Sequence, residues 1–168
     1  MPMIDAHIPE GALAPAAEAT LLRELTDILI RWEGFDPANE RARAATWTFL
    51  HRPTVYVAGE APAAPRYRFI VSVPEGQYDD ERRAGVVREM TEAVARAEGA
   101  DVAVLAPRVW VFPLEVNDGR WGGRGAVRRL PDILAALEGE HARQEGAARM
   151  RERRRRDALA ILRAAVEG

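Results

Sequence analysis

The chain has 168 residues, a mass of 18.6 kDa and a formal net charge of −2 at pH 7. This length suits one domain with a hydrophobic core, and the near-neutral charge indicates neither a nucleic-acid partner nor an anionic membrane. No apolar run approaches the ~18–20 residues that span a bilayer, and the amino-terminal residues lack the basic and apolar regions of a signal peptide. We therefore expect a cytoplasmic protein.

The residue types that the chain lacks exclude several kinds of chemistry. All 24 basic residues are arginine and there is no cysteine, which removes lysine Schiff bases, the phosphate-loop lysine and thiolate chemistry. Ser72 is the only serine and lies outside any Gly-x-Ser-x-Gly motif. The histidines His7, His51 and His141 do not form the spaced pair of a zinc helix. No metal or organic cofactor is implied.

The first predicted elements are a strand, a helix and a strand. Residues 3–8 predict a short strand, and 46–57 predict a second one that is broken near Pro53. Gly34 stands where the intervening helix would end in a left-handed residue. The apolar positions of that helix lie on one face, and they are Leu21, Leu22, Leu25, Ile28, Leu29 and Trp32.

The same three elements recur after a linker at 59–65. An offset of 65 residues aligns the two helices without gaps, and both end in Glu-Gly, at Gly34 and at Gly99. Strands are predicted at 67–73 and at 108–114. The apolar positions of the second helix are Val86, Val87, Met90, Ala93, Val94 and Ala97.

This order predicts an α/β (α+β) fold: two tandem β-α-β units form a four-stranded mixed sheet with two helices on one face, followed by a C-terminal helical extension. We assign 1–130 to the duplicated domain, with units at about 2–58 and 66–125, and 131–168 to the helical tail. The other sheet face carries Trp and Phe, so we expect self-association to bury it. The arginine run at 151–156 is interpreted as a solvated helix face followed by an apolar docking turn, because nearby glutamates dilute its charge.

Pro2 is the residue that the sequence singles out for catalysis. An initiator methionine is normally removed when a small residue follows, which would turn Pro2 into a secondary amine. An α-amino group titrates near ~7.7–8.0, and apolar burial or nearby cations lower its pKa toward the range that suits general acid or base catalysis. If Met1 persists, its amide bond abolishes the basicity of Pro2.

A proline at the start of a strand, a Glu-Gly turn, an amphipathic helix and a second strand, all duplicated, resemble the tautomerase superfamily of 4-oxalocrotonate tautomerase and macrophage migration inhibitory factor. The closest resemblance is to duplicated members like malonate semialdehyde decarboxylase, and a looser one is to cis-3-chloroacrylic acid dehalogenase. Three strings carry it: Pro-Ala-Asn-Glu-Arg at 37–41, His-Arg-Pro at 51–53, and Asn-Asp through Trp to Gly-Arg-Gly at 117–125. The resemblance covers roughly 2–130.

The resemblance implies a homotrimer whose sheets face the trimer axis, with Pro2 as the catalytic amine in a pocket near a subunit boundary. Glu40 stands in the place of an acidic residue that positions water or the substrate carbonyl. Trp121 stands in the place of an aromatic residue that walls the pocket, and a dry wall would lower the pKa of Pro2.

The turn that opens the second unit departs from the family pattern. Members of this family bind the substrate carboxylate with arginines there, whereas this chain reads Val-Pro-Glu-Gly-Gln at 73–77. A lost charge-assisted contact costs roughly 1.5–3 kcal/mol. Gln77 would hydrogen-bond a neutral carbonyl or amide, and Arg108, Arg124 or Arg52 would bind a carboxylate from another direction.

Two functions are compatible with these residues. The preferred hypothesis is an enzyme in which Pro2 acts as general acid or base on a small oxo acid, by keto–enol tautomerisation or by decarboxylation of a 3-oxo acid with help from Glu40. The alternative is a catalytically lapsed trimeric scaffold that binds a partner with its Arg-rich C-terminal helix. The missing arginines favour the scaffold, while Pro2, Glu40 and Trp121 favour the enzyme.

Overall fold

A computed structural model describes residues 2–167, and the chain forms two compact units. The first unit takes in the chain up to Val73 together with Tyr78–Leu114. The second comprises Pro74–Gln77 and the chain from Glu115 onward. Within residues 2–167 no helix combines the length and the apolar composition that crossing a membrane requires.

A four-stranded mixed sheet and two long helices make up the first unit. The strand order is β2-β1-β3-β4, with β1 parallel to β2 and antiparallel to β3. This architecture confirms the predicted fold class. In chain order the elements are β1 (Met3–His7), α1 (Pro15–Trp32), α2 (Glu40–Ala45), β2 (Trp47–His51), β3 (Tyr67–Pro74), α3 (Asp80–Glu98), α4 (Val102–Leu105), a 3-10 turn (Ala106–Arg108) and β4 (Val109–Val116).

The core of this unit lies between the sheet and one face of each long helix. Alternate residues of β1 point toward the helices, as the period of two in a strand requires. Complete burial of one such aliphatic side chain contributes about 1.5–3 kcal/mol. The fully buried members include Ile4, Ala6, Ile8, Leu25, Leu29, Phe69, Val71, Val73, Val86, Met90 and Val94.

The internal repeat is visible as an approximate twofold relation between the two copies. Arg31 of α1 forms an ion pair with Glu89 of α3, and Arg96 of α3 forms one with Glu24 of α1. The offset of 65 converts each pair into the other. The strand register obeys the same relation, because Asp5 of β1 stands opposite Ile70, its own equivalent in β3.

The structure shortens one predicted strand and divides one predicted helix. β2 ends at His51, whereas 46–57 was expected, because Pro53 has no N–H for a ladder and Arg52 turns to bind Glu18 of α1. The C-terminal tail is helical as predicted, but Gly139, with φ of 112°, separates it into two helices.

The second unit consists of a small hairpin and a pair of helices. Arg124 and Gly125 form the two-residue turn of the hairpin with φ of 51° and 72°, as a type I′ turn requires. Gly146 packs against the backbone of Pro131, where a Cβ would lie 2.7 Å from its Cα. The elements are β5 (Trp121–Gly123), β6 (Ala126–Arg128), α5 (Leu130–Glu138), a 3-10 turn (Glu140–Ala142) and α6 (Arg143–Glu167).

Gly85 of α3 gives a test of the packing between the long helices. A Cβ at this position would lie 2.1 Å from Cζ2 of the Trp32 ring. An exposed helical glycine gains about 1 kcal/mol when it is replaced by alanine. We expect the opposite sign for Gly85→Ala, a loss of about 1–3 kcal/mol in the free energy of unfolding, because the ring must move within a packed core. Urea denaturation measures the difference, with Gly122→Ala as the control because a Cβ there meets open space. A Gly85→Ala protein as stable as the control would contradict this packing.

Candidate active site

Pro2 lies at the amino end of β1 and is buried. Its carbonyl oxygen accepts a hydrogen bond from the N–H of Trp47, the first residue of β2, at 3.3 Å. On the other side of β1, Met3 stands opposite Ser72 near the end of β3. Two parallel strands therefore begin beside Pro2. Met1 lies outside the described residues.

The Pro-Ala-Asn-Glu-Arg string forms the start of α2. The side-chain oxygen of Asn39 accepts from the backbone N–H groups of Arg41 and Ala42, at 3.0 and 3.1 Å, which caps the helix. Glu40 is the first residue of α2 and is exposed. Because α2 ends just before Trp47, which binds Pro2, this short helix connects Glu40 to the amino end of the sheet.

Glu33 is a carboxylate at this end that the sequence analysis did not assign to the site. It follows the last residue of α1 and is 0% exposed. Nη1 of Arg82, from α3, donates to its backbone carbonyl at 3.5 Å. The sequence signal for Glu33 is the repeat of Glu33-Gly34 as Glu98-Gly99, which also predicts the ends of the two helices.

A cluster of three side chains occupies the opposite end of the sheet. The hydroxyl of Tyr67 donates to Oε2 of Glu98 at 2.7 Å, and Nη1 of Arg108 donates to the same oxygen at 3.0 Å. Nη2 of Arg108 donates to the other carboxylate oxygen. These hydrogen bonds hold the pKa of Glu98 below its ordinary value, with Arg108 as the main cause, while burial raises the pKa of Tyr67. The 12% exposed guanidinium of Arg108 is thus bound within its own unit.

The structure does not bring Arg108 or Arg52 to Pro2 within one chain. The register pairs His7 with Arg68, so the beginning of β3 lies beside the end of β1, away from Pro2. Nη1 of Arg108 donates to the carbonyl of Pro65, just before β3, at 3.2 Å. Arg52 follows the end of β2 at the same end of the sheet.

Four polar side chains meet on the sheet face that α1 and α3 leave open. The rings of His7 and His51 stack with centroids 4.5 Å apart and an angle of 14°. Nε2 of His51 lies 2.9 Å from Oδ1 of Asp5, and Nη2 of Arg68 lies 3.2 Å from Nε2 of His7. His7 is thus a hydrogen-bonding residue on the face of β1 opposite to the face of Ile4 and Ala6. Within residues 2–167 no three histidine, cysteine or acidic side chains are grouped as a metal site requires.

Gln77 belongs to the second unit, where α6 holds the turn at 74–77. Gln77 is 1% exposed, and its Oε1 accepts from Nη1 of Arg149 at 3.0 Å. Gly76 donates its N–H to Oε1 of Glu115 at 2.9 Å, and Oε2 of Glu115 accepts from Nη1 of Arg153 at 2.8 Å. The arginine run at 151–156 is exposed as expected except for Arg153, and Arg149 lies outside that run. Their spacing of four residues, which places both on one helix face, was the signal for this contact.

The remaining predicted site residues, Trp121 and Arg124, lie in the hairpin of the second unit. Trp121 is half-buried in β5 and is paired with Arg128 of β6. Arg124 is exposed at the tip, and its guanidinium has no ion-pair partner within residues 2–167. The hairpin turn explains Gly125, which has a positive φ, whereas Gly122 and Gly123 lie in β5.

Comparison with solved structures shows that this fold is shared with tautomerase proteins. The chain is similar to Pt0534 inactivated by 2-oxo-3-pentynoate, with 20% identity and a TM-score of 0.60 over 74% of this chain and 94% of that one. It is similar to a fused 4-OT described as a symmetric trimer, with 24% identity, a TM-score of 0.60 and the same two coverages, 74% and 94%. Macrophage migration inhibitory factor from Toxoplasma gondii gives 12% identity and a TM-score of 0.55 over 75% of this chain and 99% of that one. No protein-family model and no curated protein matches the sequence.

The stacked histidines generate a prediction about acid stability. Burial, Arg68 and His51 lower the pKa of His7 from its ordinary 6.5, against a smaller opposing effect of Asp5. The unfolded chain therefore binds a proton more readily at this position, so stability should fall as the pH drops through 6.5 and below. We expect His7→Gln to reduce this loss, and Arg68→Gln to reduce it partly. Urea midpoints between about pH 8 and about pH 5.5 provide the measurement. Equal pH slopes for all three proteins would show that His7 contributes nothing.

Proposed function

We propose that this protein is a cofactor-independent, tautomerase-like enzyme that acts on a small oxo acid. Removal of Met1 makes Pro2 a secondary amine, which serves as general acid or base. The observation that carries the proposal is the buried position of Pro2 at the amino end of β1, in a fold shared with fused 4-OT proteins. The duplicated β-α-β pattern and the strings at 37–41 and 117–125 support the same superfamily.

The chemistry needs one group that accepts and returns a proton. In the tautomerase reaction, the neutral nitrogen of Pro2 takes a proton from the carbon beside a carbonyl, and the C–H electron pair forms the enol double bond. Return of the proton to a different atom completes the isomerisation, with no change in oxidation state. Such catalysis contributes typically about 10²–10⁴-fold in rate. Because Pro2 is buried, water has limited access to the reacting atoms.

The finer proposal is a decarboxylase resembling malonate semialdehyde decarboxylase. It is supported by Glu40, which the Asn39 cap fixes as the first residue of α2, the short helix that precedes β2. Here protonated Pro2 polarises the carbonyl of a 3-oxo acid, and Glu40 orients the carbonyl or a water molecule. The two reactions differ in which protonation state of Pro2 is active.

For substrate binding we propose Gln77, Trp121, Arg124 and Arg108. The guanidinium of Arg149 only donates, so its contact identifies Oε1 of Gln77 as the acceptor of the side-chain amide. Arg108 lies far from Pro2 in its own chain, so in this proposal it serves the site of another subunit.

We propose a homotrimer as the active assembly. The open sheet face of the first unit carries two aromatic pairs, Trp47 with Phe49 and Trp110 with Phe112, in edge-to-face contact. Trp47 is 64% exposed and Trp110 is 67% exposed, which is unusual for side chains of this size. Fused 4-OT proteins of this fold are described as trimers, and trimerisation would cover such a face.

Covalent labelling tests the role of Pro2. The reagent 2-oxo-3-pentynoate, named as the inactivator of Pt0534, is an alkynyl ketone to which a neutral amine adds without a leaving group. We expect one reagent per chain, located on an amino-terminal peptide that lacks Met1, and loss of turnover of an aryl enolpyruvate in parallel. Pro2→Ala should lower kcat/KM for the enol by about 10²–10⁴-fold. Retention of Met1 in protein from its native host, or a label elsewhere, would overturn the proposal.

The trimer is tested by replacing an aromatic residue of the open face. We expect the wild-type protein to have three times the chain mass in solution by light scattering, and Trp110→Asp to dissociate it, because a carboxylate cannot be buried there without a partner. Arg155→Ala on α6 is the matched surface control and should leave the mass unchanged. A wild-type protein that has the mass of a single chain would exclude the trimer.

A further inference from the structure

The twofold relation between the two copies assigns an equivalent to each residue near Pro2. The offset of 65 carries Pro2 onto Tyr67 and Glu33 onto Glu98. The exchange of the two ion pairs between α1 and α3 shows that this offset holds in three dimensions as well as in sequence. Pro2 and Tyr67 are also both buried.

In the second copy, the carboxylate of Glu98, the last residue of α3, reaches the side chain of the first residue of β3. The Tyr67 hydroxyl donates to Glu98 at 2.7 Å. In the first copy, β1 and β2 are parallel, so α1 must run back between them and finish at the end where both strands begin. Glu33 therefore lies at the same end of the sheet as Pro2.

The surroundings of Glu33 work against its negative charge. Complete burial disfavours the ionised form, and the carboxyl end of α1 carries the negative end of the helix dipole. A cation beside the carboxylate offsets both effects. Arg82 in the first turn of α3 is a cation at this end, where it donates to the Glu33 backbone carbonyl; Asp80, Glu81 and Arg83 lie in the same turn.

We propose that Glu33 is a positioning residue that pairs with the ammonium form of Pro2 and holds its proton in place. This inference rests on the proposed function, because the amine exists only after Met1 is removed. A carboxylate next to an amine favours the charged form, whereas burial alone favours the neutral form. Glu33 therefore makes Pro2 a proton donor at neutral pH, and this favours the decarboxylase over the tautomerase.

The proton donated by Pro2 is accounted for in the reaction. The bond between the carboxylate carbon and C2 of a 3-oxo acid breaks, and its electron pair forms the enol double bond as carbon dioxide leaves. The carbonyl oxygen takes the proton from Pro2, so no free enolate accumulates. Pro2 regains a proton from water, and the enol returns to the ketone or aldehyde.

The test compares the titration of Pro2 in the wild-type protein and in Glu33→Gln. The rate of labelling by 2-oxo-3-pentynoate as a function of pH reports the fraction of neutral amine. We expect Glu33→Gln to lower the pKa of Pro2 by about one to three units, which raises the labelling rate near neutral pH by about tenfold or more. Turnover of a 3-oxo acid should fall in the same variant. A purely structural role would not make Pro2 more reactive.

Glu24→Gln is the control, because it removes another carboxylate of α1, which pairs with Arg96 of α3. It should leave the pKa of Pro2 unchanged. A free Pro2 whose pKa is the same in wild type and Glu33→Gln overturns the inference while the proposed function stands, whereas a retained Met1 overturns both. If Glu33→Gln does not fold, the pKa of Pro2 in the wild-type protein is the test. A value above the ordinary ~7.7–8.0 of an α-amino group supports the pairing, and a lower value overturns it.

Discussion

The antiparallel pairing of β1 with β3 at the centre of the sheet determines how the first unit is built. Because Asp5 stands opposite its own equivalent, Ile70, an approximate twofold axis passes between these strands, and each long helix lies over its own copy. The reciprocal ion pairs of Arg31 with Glu89 and of Arg96 with Glu24 follow from this axis. The same axis gives the sheet two comparable ends, one where β1 begins and one where β3 begins.

The two ends have diverged in the residue that opens the strand. At the β3 end, the carboxylate of Glu98 accepts hydrogen bonds from Tyr67 and Arg108. This cluster is a structural ion pair with one additional hydroxyl donor. At the β1 end, a proline stands in place of the tyrosine, and Glu33 is buried without the exposure that its equivalent retains. We attribute the proposed chemistry to this difference, since the same backbone supports a stable cluster at one end and an amine at the other.

The fold could be predicted from the sequence because its signals are local or exactly repeated along the chain. The helical spacing of Leu25, Ile28 and Leu29 and the Glu-Gly pairs placed α1 and α3 correctly. The contacts of the candidate site could not be predicted in the same way. Gln77 and Arg149 are 72 residues apart, and Arg108 is bound by Glu98 of α3, so their partners depend on tertiary packing. β2 ended early for a similar reason, because Arg52 binds α1.

The glycine in α3 makes the two halves complementary rather than interchangeable. The Trp32 ring of α1 crosses α3 where Gly85 leaves room for it, and the offset of 65 maps this pair onto Ala97 and Thr20, which line an open groove. Two copies of the first half alone would bring Trp32 against Thr20 of the other copy, where a side chain already stands. Two copies of the second half would place Ala97 beside Gly85 and leave the space of the Trp32 ring unfilled. Only the pairing of unlike halves fills this space without a clash.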